Sequence, residues 1–137
     1  MSNKVSTFSV PANVPWTVTN LKLDDDDKVT IQVLSGTWTA NPALSQVGGD
    51  GHLFFVAKPG YTLPGYFEGV LVGYVGKSAP PNDASVAGVF AIGQNLKLSD
   101  RLKGYLFLGI NDDIERRYGV GHTDNLGALS VQVSINS

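Results

Sequence analysis

Between Asn111 and Gly127 the chain reads NDDIERRYGVGHTDNLG, with Asp112, Asp113, Glu115 and Asp124 crowded between two apolar runs. Carboxylates this dense repel one another unless a cation or solvent separates them. A hard divalent cation such as Ca²⁺ takes about six to eight oxygen ligands from carboxylates, amides and backbone carbonyls. Asp112 and Asp124 can supply carboxylates from the two arms of a looped chain, and Asn125 can add an amide oxygen. Gly119, Gly121 and Gly127 let the backbone turn its carbonyls inward. The regular spacing of an EF-hand is missing. The same residues also read as a polar loop whose Asp and Asn side chains cap their own backbone. Spacing alone leaves both readings open.

Other chemistry finds less support. The chain holds ten aspartates and only two glutamates, Glu68 and Glu115. A glycosidase needs two carboxyls facing each other across a cleft, whereas Asp112 and Asp113 are neighbours expected on opposite sides of an extended segment. No nucleophile elbow, P-loop or H-E-x-x-H is present, so the expectation is a protein that is not an enzyme. The two histidines, His52 and His122, lie in Gly-rich polar stretches and are expected to face solvent; a neutral imidazole can still exchange hydrogen bonds with a hydroxyl. Tyr61, Tyr66, Tyr118, Trp16 and Trp38 could stack on a sugar ring, although most aromatics of this kind serve packing. The loudest charge run, DDDDK at Asp24–Lys28, sits where a hairpin turn belongs and reads as a solvated turn.

These residues must be positioned by β-structure. Leu129, Val131, Val133 and Ile135 alternate with polar residues, as do Val29, Ile31 and Val33, giving strands with one buried face. GYLFLGI at Gly104–Ile110 is apolar on both faces, which fits a central strand or one covered by a partner subunit. NLKLDDDDKVTIQVLSG and NLKLSDRLKGYLFLGIN echo each other and suggest two hairpins in equivalent places of two sheets. With 16 glycines, 7 prolines and no long helical period, the 137 residues read as all-β, a single antiparallel β-sandwich domain over positions 1–137. A net charge of −2 offers no footprint for nucleic acid. There is no cysteine, hence no disulfide or thiolate metal site. No run is long enough for a transmembrane segment and MSNKVSTFSV has no signal-peptide core, so the expectation is a chain that is cytoplasmic or exported without a signal peptide to act outside the cell.

In order along the chain, GTW (Gly36–Trp38), GDGH, GVLVGYVGK (Gly69–Lys77), LFLGINDD and DNLGALSVQV resemble the PA-IL-like family, the calcium-dependent, galactose-binding bacterial lectins. The likeness runs from about Val10 to Ile135, and its most specific parts are Gly109–Asp112 and Asp124–Val131. The resemblance implies a jelly-roll-like sandwich with one Ca²⁺ held by Asp112, Asp124, Asn125 and a backbone carbonyl at about Asn41. It implies that two vicinal sugar hydroxyls join the metal's ligands, with Asp112, Asp124 and Asn41 bordering the sugar and His52 contacting another hydroxyl. Galactose-type glycans are the implied partners, and a homo-oligomer, a tetramer in the family, the implied assembly. The chain departs from the family in a longer loop between Asp112 and Asp124 and in having no tyrosine at position 41. A structural or protein-interaction sandwich that has lost sugar binding is the alternative.

Overall fold

The structure, a computed structural model, describes residues 3–98 and 102–136. Its strands are β1 (Asn3–Pro11), β2 (Thr17–Leu23), β3 (Lys28–Thr39), β4 (Leu71–Gly76), β5 (Phe90–Ala91), β6 (Asn95–Leu98), β7 (Gly104–Ile110) and β8 (Leu126–Asn136), with a 3-10 turn at Gly121–Asp124. One sheet runs β1-β8-β3-β6 and the other β2-β7-β4-β5, with antiparallel pairing throughout. Alternation of strands between two such sheets is the topology of a jelly roll. The expectation of an antiparallel β-sandwich holds.

The alternating strands do what their period demands. Ile31, Val131 and Val133 are fully buried, with Leu129 and Val29 nearly so, while the polar residues between them face out. They meet Leu106, Leu108 and Ile110 of β7 and Leu71 of β4 across the sandwich. Each such side chain contributes about 1.5–3 kcal/mol by leaving water. Trp38, also fully buried, anchors the end of β3, and its indole N–H donates to Gly69 O at 2.8 Å. Between Val33 and Ser35 the register of β3 slips against β8. Gly36 follows at φ +97°, where a Cβ would collide with Ala128 O.

Two expectations change. The Asp24–Asp27 turn is not a hairpin turn, because β2 pairs with β7 and β3 with β8 and β6. It carries the chain from one sheet to the other, closed by Asp27 N–H to Asp24 O at 3.1 Å and Asp24 N–H to Asp27 Oδ2 at 2.8 Å. The echoing unit β6–β7 also changes sheets. A period of two marks strands but not their partners. β7 is a central strand, between β2 and β4, and part of its outer face is covered within the chain: Phe107 packs with Trp16, Val70, Val72 and Ile114, and Leu63, Tyr74 and Val89 close over them, while Tyr105 on the same face is 40 % exposed.

Candidate metal and ligand site

β7 ends at Ile110, and Asn111 turns the chain into the long loop. Asn111 is fully buried. Its Oδ1 accepts Leu63 N–H at 2.7 Å, and its Nδ2 donates to Leu63 O at 2.9 Å and Phe67 O at 3.0 Å. This one side chain ties the 63–67 segment to the end of β7. Thr62 N–H donates to Asp112 O at 2.9 Å, fastening the next residue to the same segment.

Asp112, 4 % exposed, stands at the centre. Its Oδ1 accepts Asp113 N–H and its Oδ2 accepts Asn125 Nδ2–H, each at 2.7 Å. Loss of hydration pushes its carboxyl up to about 7; the two hydrogen bonds oppose this, and the charges of Asp124 and Asp113 add to it. Asn125, equally buried, also donates to Ala12 O at 2.9 Å, which orients the amide. Its Oδ1 has no hydrogen-bond partner. A buried acceptor left bare is costly, about 1–3 kcal/mol. Beside an undersolvated carboxylate, such an oxygen fits a cation. The residues present therefore suit a hard divalent ion, by the two oxygens of Asp112 and Asn125 rather than by charge count.

A hollow of about 230 Å³ opens over Asp112, lined also by Ala40, Asn41, Tyr61, Glu68, Asp113, Tyr118, Gly119, Val120, Gly121 and Asp124. It is smaller than the ~300–1,000 Å³ of pockets for drug-sized ligands. Asp124 reaches it from the exposed end of the 3-10 turn, so the loop's two arms do converge. Among the described residues no three Asp, Glu or His side chains are grouped closely enough to hold a metal by themselves. A metal held here would have to take its other protein ligands from amide and backbone oxygens.

Asp113 has a different job from Asp112. Its Oδ1 accepts Arg117 N–H at 2.9 Å and its Oδ2 accepts Tyr118 N–H at 2.8 Å, folding the inserted residues back on themselves. Asp112 and Asp113 do not take opposite sides of an extended segment, because the chain turns after Ile110 and both side chains line the hollow. The insertion is held in place by Tyr118 Oη donating to Pro59 O at 2.9 Å, by Lys58 over the Tyr118 ring at 4.8 Å, and by Glu115 accepting Ser85 N–H at 2.9 Å.

Asn41 lines the hollow, but its carbonyl is already engaged by Thr39 Oγ1–H at 2.6 Å and Leu44 N–H at 2.9 Å. Its side-chain Oδ1 accepts Ala43 N–H. The neighbouring Ala40 carbonyl receives no donor among the described residues and is the more available oxygen. His52 does not line this hollow; it borders an adjacent apolar one with Leu44, Val47, Leu53, Phe54 and Phe55. Its Nε2 lies 3.3 Å from Thr39 Oγ1. That hydroxyl already spends its proton on Asn41 O, so Nε2 is the donor and His52 braces the 39–41 turn from behind.

Both histidines are buried rather than solvent-facing: His52 is 6 % and His122 4 % exposed. His122 packs under the loop with Nε2–H donating to Ile110 O at 3.3 Å, and burial brings its pKa down to about 4. Glu68, Asn111 and Ala40 drew no attention as site residues in the sequence. Glu68 and Ala40 lie far from the acidic loop, and only folding brings them to it.

No family model matches the chain, and no curated protein matches it. Among solved structures it is similar to one described as "EclA N-terminal domain; PllA-like lectin", with a TM-score of 0.64 and 19 % identity over 95 % of each chain. At that identity the likeness carries the fold, a lectin-like β-sandwich.

Proposed function

We propose that this chain is a carbohydrate-binding protein whose sugar site is built on a Ca²⁺ ion, with galactosides the first ligands to try. The observation that carries the reading is the undersolvated Asp112 carboxylate lining a small polar hollow, hydrogen-bonded to a buried Asn125 amide whose Oδ1 has no partner. Asp112, Asp124 and Asn125 would hold the ion, with a backbone oxygen from Ala40 or Asn41. When bound, the ion supplies a positive centre to which two neighbouring sugar hydroxyls can be ligands. The protein's own part is to fix those oxygens: Asn125 is clamped to Ala12, Asp112 to Asp113, and the 39–41 turn to His52. The sequence resemblance to PA-IL-like lectins and the fold shared with a PllA-like lectin support the same reading. Binding without catalysis is proposed, since Asp112 and Asp124 would be spent on holding a metal and Asp113 is spent on shaping the loop.

The test is a thermal melt in EDTA against millimolar Ca²⁺, with Mg²⁺ as control, followed by galactoside calorimetry in Ca²⁺. A ligand present at ~100 times its Kd adds about 2.7 kcal/mol, which raises the midpoint by several degrees. No shift in demonstrably metal-free protein would refute the metal site. Assembly into a homo-oligomer belongs to the same proposal, because multiple weak sites gain by effective concentration. Light scattering giving a mass of 14.5 kDa would remove it.

A second reading has one observation behind it. Leu53, Phe54, Phe55 and Val56 are exposed in a row, Phe54 at 94 %. A protein-interaction surface would use such a strip. A chain that failed both metal and sugar tests would be read that way. No helix among the described residues is long and apolar enough to cross a membrane.

A further inference from the structure

The hollow has a wall that the metal ligands do not account for. Glu68, half-buried, enters it just before β4 and is pinned by its backbone on both sides: its N–H donates to Phe55 O and its carbonyl accepts His52 N–H, each at 2.8 Å. Tyr61, 6 % exposed, donates its hydroxyl to Glu68 Oε1 at 2.8 Å. Burial and the neighbouring charge of Glu68 hold the Tyr61 phenol above its ordinary pKa, so it stays a donor. Its ring packs against Tyr118 at 5.9 Å between centroids, and Tyr118 lines the same hollow.

We infer that Glu68, oriented by Tyr61, is a specificity-determining residue that accepts a hydroxyl of the bound sugar and turns away sugars bearing a carboxylate. This rests on the carbohydrate reading above and extends it. The charges around the hollow support it. None of its lining residues is a lysine or arginine, and four are acidic. A divalent ion would balance Asp112 and Asp124. Asp113 has both oxygens committed to backbone N–H groups of the loop. Glu68 is left as the anion with acceptor capacity to offer, since Tyr61 occupies one oxygen of a group able to accept several hydrogen bonds. A carboxylate of this kind makes a charge-assisted bond to a neutral hydroxyl and repels an anionic sugar.

The experiment compares the native chain with Glu68→Ala, Glu68→Gln and Tyr61→Phe, all in saturating Ca²⁺. The probes are methyl galactoside, methyl glucoside, methyl mannoside and fucose, with galacturonate as the acidic probe. The neutral sugar that the native chain binds best is carried through the variants. Glu68→Ala should weaken it about tenfold or more, the loss of one charge-assisted hydrogen bond. Calcium affinity, measured separately without sugar, should stay within about threefold. Glu68→Gln should narrow the gap between the neutral sugar and galacturonate, because the charge is gone and the shape kept. Tyr61→Phe should weaken sugar by a smaller factor and leave calcium alone.

Unchanged sugar affinity in Glu68→Ala overturns the inference while the lectin reading stands. A tenfold fall in calcium affinity in that variant also overturns it, by making Glu68 a metal ligand. A native chain that binds calcium but none of the neutral sugars defeats the lectin reading and this inference together.

Discussion

Asn125 donates an amide hydrogen to Oδ2 of Asp112 across 2.7 Å while its own Oδ1 has no partner. The two groups form half of a site. The hydrogen bond relieves some of the cost of ionising a buried carboxylate, but not enough to bring Asp112 back to its ordinary pKa. The amide oxygen on the same side chain is buried without a partner. The proposed metal ion would answer both deficits at once, which is why this pair, and not the number of acids in the loop, carries the functional reading.

Replacing Asp112 with Ala should therefore affect the metal-free form little and the calcium-bound form strongly. In EDTA the variant loses two hydrogen bonds but also sheds an undersolvated carboxylate, so its melting midpoint should stay within a few degrees of the native one. In Ca²⁺ the native chain should rise by several degrees and the variant should not. A variant that still responds to Ca²⁺ would place the ion elsewhere.

How much of this could be read in advance depends on what the side chains answer to. Leu129, Val131 and Val133 were legible because alternation is the direct imprint of a sheet with one buried face. The double apolarity of Leu106–Ile110 was legible too, but not its cause, since Trp16, Leu63 and Ile114 cover Phe107 from distant segments. Whether Asp24–Asp27 joined paired strands or crossed between sheets was illegible, because each strand's pattern is the same in either case. In the acidic loop the sequence holds two kinds of aspartate that look alike. Asp112 takes its donors from its neighbour Asp113 and from the distant Asn125 amide, whereas Asp113 takes two backbone donors from the loop itself. Only the path of the inserted residues separates them. Glu68 could not be found by spacing, because it comes to Asp112 through the pairing of β4 with β7.

Asn111→Ala should be among the most damaging single changes. The side chain is fully buried and makes three hydrogen bonds to Leu63 and Phe67 backbone groups. Its loss leaves those groups unmatched, and destabilisation of about 2–4 kcal/mol is expected from urea unfolding. The segment it holds leads directly into Glu68, so sugar affinity should fall further than calcium affinity. A change under 1 kcal/mol, roughly the worth of one ordinary hydrogen bond, would show that the 63–67 segment is held by other means.

His52→Ala separates two roles for this histidine. The resemblance gave His52 a direct contact with sugar, but its Nε2–H is directed at Thr39, whose hydroxyl in turn holds Asn41 O. Loosening that turn should lower calcium affinity by roughly three- to tenfold and sugar affinity with it, as expected for removal of one buried hydrogen bond. If calorimetry shows weaker sugar binding with calcium untouched, the histidine contacts the sugar itself.

The pH dependence should differ between the metal-free and calcium-bound protein, and the sign follows from two buried groups. Asp112 has its pKa raised from 3.8 to about 7 on folding. Its unfavourable contribution is absent below 3.8, grows as pH rises, and is complete above about 7, so acidification across this window stabilises the metal-free fold. His122 has its pKa lowered from 6.5 to about 4, so its contribution is intact above 6.5 and is lost as pH falls through 4. In the metal-free protein the two windows overlap and pull in opposite directions, and the melting midpoint should change little between pH 7 and pH 4.5. Calcium keeps Asp112 ionised, which removes the compensating gain and leaves the loss from His122 together with competition between proton and metal. The calcium-bound midpoint should therefore fall steadily over the same range. Calcium affinity should drop by about twenty- to thirtyfold from pH 7.5 to pH 5.5, the factor set by the ionised fraction of a group titrating near 7. Calorimetry at the two pH values checks the affinity, and melts with and without EDTA check the midpoints. A calcium affinity that does not change between them would mean that Asp112 is not a ligand.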